Sequence, residues 1–351
     1  MKAETLLPVG KLDPGLRQVS MRLDLAAVPA MAREIEELGY DGLASGETKN
    51  DPFLPLALGA TATSRLRLTT AVAIAFARSP TATAMTAWDI QAMSKGRFVL
   101  GLGPQVKGHI QRRYGLAWAP PLARLREYIG AVRAVWNCWQ NRVPLEFAGK
   151  HYNLSLMVPL FDPGPIEHPD IPVQVAAVNA GMCRLAGELC QGMRPHPICT
   201  PRYIAEVMLP AVEAGAAKVG RKLEGFDVVP SPLIAAAPSA ALLEERIRDV
   251  RARVAFYAST RSYRAVFEHH GWGDLVRELH QYSVEKRWEE MPRRISDEVL
   301  DTIAVVATYD RLAAKLKQRY GAVATGLEFG IPLREAADRE VLAAIIRELH
   351  G

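Results

Sequence analysis

Short apolar runs alternate along the chain with longer segments in which apolar residues return every three or four positions. The short runs predict strands at AETLLPV (3–9), GLASG (42–46), RLTTAVAIA (67–75), RFVLGL (97–102), IPVQVAAV (171–178), QGMRPH (191–196), FDVVPSPLIAA (226–236) and VATGLEFGI (323–331). QGMRPH has the least strand character of the eight. The 3.6-residue period predicts helices over 28–39, 122–139, 203–220, 240–254 and 336–350. In the first of these Glu34, Glu36 and Glu37 read as a solvated face.

Eight strands separated by helices, with a closing helix after the eighth, point to an α/β fold, a (β/α)8 TIM barrel spanning 1–351 as a single domain. The Val-, Ile-, Leu- and Ala-rich strands fit burial on both faces, as a parallel sheet requires. Two segments overrun the repeat. Residues 142–170, with aromatics, glycines and many prolines, predict a hairpin and extended loop before strand five. Residues 255–310 predict a mostly helical insertion before strand eight. Long loops of this kind cover the mouth of a barrel or build a subunit contact.

Hydrophobic residues make up 49% of the 351 positions and the formal net charge is +5, which describes a globular protein with a sizeable core. Lys and Arg are scattered, so nucleic acid is not an expected partner, whereas a small anionic ligand suits the basic balance. There is no apolar run of membrane-spanning length and no apolar signal core in MKAETLLPVGKLDPG, so no membrane association is expected. Cys138, Cys183, Cys190 and Cys199 form no C-x-x-C, which predicts reduced thiols in a cytoplasmic protein. Metal-site signatures are absent, and no metal is expected.

The stretch RFVLGLGPQVKGHIQRRYG (97–115) invites comparison with nucleotide-binding loops. It fails both strict patterns. Gly101, Gly103 and Gly108 place the third glycine two positions late for a dinucleotide loop, and Arg124 and Arg126 stand where an acidic residue belongs. His109 and Ile110 replace the Lys and hydroxyl of a P-loop. In a barrel, however, this loop follows strand four at the C-terminal face where chemistry is placed. Gly101 and Gly103 would let the backbone approach a flat ring or a phosphate.

Four stretches carry a resemblance. They are YDGLASGETKNDPFLPLALGA, TTAVAIAFARSPTATAMTAWDIQAMSKGRFVLGLGPQVKGHIQRRYG, GPIEHPDIPVQVAAVNAGMCRLAGELCQGMRPHPICTPRY and EHHGWGDLVRELH. With the pattern that connects them, the chain resembles the luciferase-like flavin and deazaflavin superfamily, and within it the F420-dependent oxidoreductase branch. The resemblance implies a barrel whose strand ends hold F420, or FMN as the alternative. It implies a non-proline cis peptide under the ring around Thr70, Ala71 and Val72. It places a proton donor or acceptor at Glu47, where deazaflavin relatives often have His. A carboxyl partly desolvated by a bound ring suits that role. It places Lys107 against the electron-rich edge of the ring, with Gln105 and His109 beside it. Backbone amides at Ala176, Ala177, Val178 and Asn179 would hold the cofactor phosphate at a helix N-terminus. Asn179 stands where close relatives tend to have Gly, and its tolerance of positive φ would preserve a left-handed turn. His196 would contact substrate or cofactor, or else be a core histidine satisfied by backbone.

Arg78, Arg112 and Arg113 would pair with an anionic cofactor tail or form ordinary salt bridges. His269, His270 and Trp272 would lid the site or cap a helix. The leading expectation is hydride transfer between C5 of F420 and a small organic substrate, by C=C reduction or alcohol oxidation. An FMN-dependent two-component monooxygenase is the alternative, and a non-catalytic binding protein a lesser one. A homodimer is expected, because relatives often form one.

Overall fold

The structure, a computed structural model, describes residues 1–8, 22–333 and 335–351. Eight parallel strands form the barrel. They are β1 (Lys2–Leu6), β2 (Gly42–Ser45), β3 (Arg67–Thr70), β4 (Phe98–Gly103), β5 (Val173–Ala177), β6 (Gly192–Pro195), β7 (Asp227–Val228) and β8 (Gly326–Glu328). Neighbours in sequence are neighbours in space from β1 through β7, and β8 pairs with β1 at Lys2↔Gly326 and Glu4↔Glu328. The last gap, between β7 and β8, is bridged by Thr325 N–H donating to the Val228 carbonyl (3.0 Å) and Glu328 N–H to the Pro230 carbonyl (3.0 Å). Val9, the predicted end of the first strand, lies outside the described residues.

Two predicted strands are broken, each for a visible reason. The segment 67–75 divides into β3 and a short strand Ala73–Ile74, separated by a cis peptide between Ala71 and Val72. The segment 226–236 divides because Pro230 and Pro232 offer no N–H to a ladder. Its second part, Ile234–Ala237, leaves the barrel and pairs in parallel with Val305–Thr308, a strand that the sequence pattern left inside the insertion. The hairpin expected in 142–170 is present as Phe147–Ala148 against Asn153–Leu154. The late insertion contains helices Arg264–His269, Gly273–Val284 and Asp297–Ile303.

QGMRPH is strand-poor because its positions serve the barrel lumen. A Cβ on Gly192 would lie 2.7 Å from the Asp227 carbonyl oxygen, so only glycine fits there. Arg194 points inward, where its guanidinium meets Glu4 (2.9 Å), Glu328 (2.7 Å) and the Gln174 amide oxygen (3.1 Å). One buried cation thus ties β1, β5, β6 and β8 around the axis. Outside the barrel, Arg97 donates to the carbonyls of Ala60 (3.0 Å), Thr63 (3.0 Å) and Leu66 (2.9 Å). That satisfies the C-terminal end of helix Leu54–Ala62.

The acidic run of the first helix is not simply a solvated face. Glu36 accepts from the backbone N–H groups of Ser64 (3.0 Å) and Arg65 (2.7 Å), and Glu34 pairs with Arg339 (2.5 Å). These contacts fasten helix Val28–Glu37 to the entry of β3 and to the closing helix Ala336–His350. The four cysteines are buried and free. Among the described residues, no helix is long and apolar enough to cross a membrane, and no cluster of His, Cys, Asp and Glu forms a metal site.

Removing Arg194 leaves two carboxylates in the lumen without their cation. Arg194→Met is therefore expected to lower unfolding stability by about 3–5 kcal/mol in urea titrations. Adding Glu4→Gln and Glu328→Gln is expected to restore much of the loss. A stability unchanged by the single substitution would show that the network carries no such weight.

Candidate active site

All parallel strands end on one face, and Glu47, Ala71, Val72, Gln105, Val178, Asn179 and His196 follow those ends closely in sequence. At its centre β3 and β4 approach unusually closely. The Thr70 hydroxyl donates to the Gly101 carbonyl (2.7 Å) and accepts from the Gly101 N–H (2.8 Å). A Cβ on Gly101 would sit 1.8 Å from the Thr70 carbonyl oxygen, and one on Gly103 2.7 Å from Val72 Cγ2. The two glycines exist for the bulge that β3 makes at its cis Ala71–Val72 bond. The bulge is also held from the other side, where Ala71 N–H donates to the Ser45 carbonyl (2.7 Å). Ala71 and Val72 remain half-exposed on the mouth. The outcome is a surface of backbone and small side chains at the strand ends.

Glu47 follows β2 and is clamped. Its Oε2 accepts from Ile74 N–H (2.7 Å) and Arg78 Nη1 (2.5 Å), and its Oε1 accepts from the Tyr114 hydroxyl (3.1 Å). Arg78 also reaches Asp51 (2.6 Å). The Glu47 side chain is only 8% exposed, so removing Arg78 would leave a buried carboxylate without its cation. Burial and the neighbouring Glu47 carboxylate push the Tyr114 phenol up from its usual range, which keeps it a donor. Arg78 therefore forms a structural ion pair at the strand ends. Arg113 is likewise occupied, donating to the Thr48 carbonyl (3.0 Å). Tyr114 was not foreseen. Its signal in the sequence is weak, a single aromatic at the end of a basic run.

The loop after β4 is shaped by Gln105, which takes a left-handed conformation (φ 57°) and folds its side-chain oxygen onto Val106 N–H (2.8 Å). Lys107 opens the short helix Lys107–Arg112 and is exposed, as is His109. At the end of β5, Ala176 and Val178 are half-buried and Ala177 is buried. Asn179 departs from the left-handed turn expected of it. Its φ is −93°, and it leads directly into helix Ala180–Leu189, with its carbonyl accepting from Met182 N–H (2.9 Å). Its side chain makes no cap and instead donates to the Ser262 carbonyl of the insertion (3.3 Å). The helix thus begins at the mouth with its first amides uncapped by a side chain, an arrangement favourable to an anion.

His196 ends β6 under two tyrosines of the insertion. It stacks on Tyr263 (centroids 4.1 Å apart) and meets Tyr257 edge-on (4.8 Å). Its Nδ1 accepts from Ile198 N–H (3.4 Å), which leaves Nε2 as the protonated nitrogen. Burial pushes its pKa down to about 4, so the ring is neutral near pH 7. His269, His270 and Trp272 do not line the mouth. His270 bonds the Thr200 hydroxyl (2.8 Å) and stacks on Trp272, and His269 bonds Glu206 (2.8 Å). They pin the insertion to the segment that follows β6, and the tyrosines reach the mouth instead.

Two measurements check this geometry. Gly101→Ala forces a Cβ into the Thr70 carbonyl and is expected to cost about 3 kcal/mol or more in unfolding stability. Gly108→Ala, in the short helix that follows β4 and facing only the flexible end of Arg112, is expected to stay within about 1 kcal/mol of the parent. Equal effects would contradict the close approach. For His196, the unfolded chain takes up a proton near 6.5 and the folded one only near 4. The unfolded state therefore binds more protons in that window, and stability falls as pH drops from 6.5 towards 4. His196→Gln is expected to flatten that part of the stability–pH curve, and an unchanged curve would place the imidazole in water.

Comparison with known proteins follows the same lines. Residues 7–326 match the model of a family described as luciferase-like monooxygenase. An uncharacterised Mycobacterium tuberculosis protein is 40% identical over 324 residues, 92% of this chain and 94% of that protein. A second M. tuberculosis protein, named "Putative coenzyme F420-dependent oxidoreductase Rv3520c", is 30% identical over 302 residues, 80% of this chain and 84% of that one. Among solved structures, the coenzyme F420 dependent tetrahydromethanopterin reductase of Methanopyrus kandleri superposes with a TM-score of 0.76 over 99% of this chain and 98% of that one, at 19% identity. EDTA monooxygenase of Chelativorans superposes with a TM-score of 0.72 over 100% and 93%, at 15% identity. The folds agree, and the family match together with the 40% relative shows that this chain belongs to the luciferase-like monooxygenase family and is an enzyme of that flavin- and deazaflavin-using class.

Proposed function

We propose that the enzyme is an F420-dependent oxidoreductase acting on a small organic substrate, by reduction of an activated C=C bond or oxidation of an alcohol. The observation that carries the choice of F420 is the 30% identity, over 80% of the chain, with a protein named for that coenzyme. The residues present fit a deazaflavin. The half-exposed Ala71–Val72 bulge, backed by glycines that no side chain could replace, offers a flat floor to a ring. Helix Ala180–Leu189 turns its uncapped N-terminus to the same mouth, where a cofactor phosphate would be held at Val178 and Asn179. When bound, F420 supplies a ring carbon that accepts or gives a hydride.

The remaining work falls to the chain's own groups. Ala71 and Val72 would support one ring face, whereas Thr70, fully buried with its hydroxyl committed to Gly101, does not reach the ring and holds the bulge from below. Gln105 in the loop after β4, and Lys107 and His109 on the short helix that follows, would border the ring's electron-rich edge, where an ammonium would stabilise negative charge. Glu47 is held in place by Arg78 and Ile74 N–H and accepts a proton at Oε1 through the Tyr114 hydroxyl. His196, kept neutral by burial, donates from Nε2 to a substrate oxygen without carrying charge. The insertion tyrosines exclude water above it.

Fluorescence titration of the purified enzyme is expected to show F420 binding at least about tenfold tighter than FMN. Glu47→Gln is expected to retain that affinity while losing roughly a hundredfold or more in turnover, followed by F420 absorbance in a substrate screen. Preference for FMN with oxygen uptake would replace this reading with that of a flavin monooxygenase. Unchanged turnover in Glu47→Gln would remove Glu47 from proton transfer.

A further inference from the structure

Glu328 is the last residue of β8, at the strand ends where barrel enzymes carry their reacting groups. Its side chain is only 9% exposed, and Oε2 accepts from Arg194 Nη2 (2.7 Å). The other oxygen, Oε1, takes no hydrogen bond from any described residue, yet it is not sealed inside the protein. Glu328 lines a cavity of about 360 Å³, a size at the lower end of small-molecule sites, and Oε1 is open to it. Arg194 does not require Glu328 as its counter-ion, because Glu4 already faces the same guanidinium at 2.9 Å. A second buried carboxylate on one cation costs desolvation, which a hydrogen bond from a bound molecule to Oε1 would offset.

The cavity reaches the centre of the mouth. Gly46 lines it, and a Cβ there would be 3.3 Å from the Ala71 carbonyl oxygen of the bulge. Tyr257 lines it as well, and meets His196 edge-on at 4.8 Å. Leu6 and Phe329 give the wall beside Glu328 an apolar stretch. The guanidiniums on the wall are engaged. Arg246 pairs with Asp249 (3.7 Å), which lines the same cavity, and Arg253 has an interaction of its own. A charged substrate would give up its hydration among ionised groups that already have partners, whereas a neutral one would not. An ionised carboxylate can only accept, so Glu328 selects a molecule that carries a donor.

We propose that Glu328 Oε1 accepts a hydrogen bond from a substrate hydroxyl, and that the substrate is a small neutral alcohol with an apolar body. The proposal deepens the function stated above and rests on it for the word substrate, while the binding itself can be tested without F420. The hydroxyl is held at the end of β8, and the apolar body lies over Leu6 and Phe329.

Isothermal titration of the purified enzyme, with and without F420, would use four probes of one shape: cyclohexanol, its methyl ether, cyclohexylammonium and cyclohexanecarboxylate. Cyclohexanol is expected to bind, and each of the other three to bind roughly tenfold or more weakly. That ranking is read on the parent enzyme and needs no variant. In Glu328→Gln the amide oxygen can stay with Arg194, which turns the NH2 group, a donor, towards the cavity. This variant is expected to bind cyclohexanol and the ether alike, with F420 affinity unchanged. A residue that only supported the fold would not reverse the choice between alcohol and ether. The proposal is overturned if cyclohexanol does not bind, if the ether or either ion binds the parent enzyme as well, or if Glu328→Gln keeps the preference for the alcohol. It is also overturned if that variant loses F420 affinity in the same proportion, because Glu328 would then contact the cofactor. Selective cyclohexanol binding without any F420 binding would leave the assignment of Glu328 standing and remove the cofactor assignment.

Discussion

Thr70 turns its hydroxyl onto both backbone groups of Gly101, while its own carbonyl fills the space that a side chain at 101 would need. The Thr70 carbonyl thus occupies the place of a side chain at 101. β3 is then free to bulge outward at Ala71–Val72, and its continuation Ala73–Ile74 rejoins β4 at Leu102 and Gly103. The remaining features of the mouth are arranged around that displacement. Ser45 receives the Ala71 N–H, Glu47 receives the Ile74 N–H, and Arg78 fixes the Glu47 carboxylate from the start of the next connection.

Below this layer the lumen is charged, which is unusual for a protein interior and expensive unless the charges are paired. Arg194, Glu4 and Glu328 are paired, and they link strands far apart in sequence. Above it, the insertion closes over the β6 side. His269 and His270 fasten it to Glu206 and Thr200, and this attachment sets Tyr257 and Tyr263 against His196. A buried imidazole between aromatic rings loses its proton readily, so the mouth combines an ion-paired carboxylate with a neutral hydrogen-bond donor.

The barrel itself was legible in the sequence, because parallel strands buried on both faces leave near-continuous apolar runs that periodicity detects. The failures came where backbone chemistry overrode pattern. Strand seven breaks at Pro230 and Pro232, which remove ladder donors without interrupting the apolar run. Strand six looked polar because Arg194 faces a lumen that holds its counter-charges. The glycines at 101 and 103 were visible, but their reason, the Thr70 carbonyl and Val72 across the strand, depends on register and could not be read from spacing. Glu47 was visible as a residue at a strand end, whereas its partners Arg78, Ile74 and Tyr114 come from segments brought together only by the fold. Asn179 suggests a turn by residue type, yet as the N-cap of helix Ala180–Leu189 it takes the extended conformation that caps adopt.

The bulge at Ala71–Val72 is the proposed floor of the cofactor site. A crystal structure of the enzyme grown with F420 addresses this most directly. The deazaflavin ring is expected with one face in van der Waals contact with the Ala71–Val72 peptide and its phosphate at the N-terminus of helix Ala180–Leu189. A ring bound elsewhere on the barrel, or density for F420 away from β3, would contradict it.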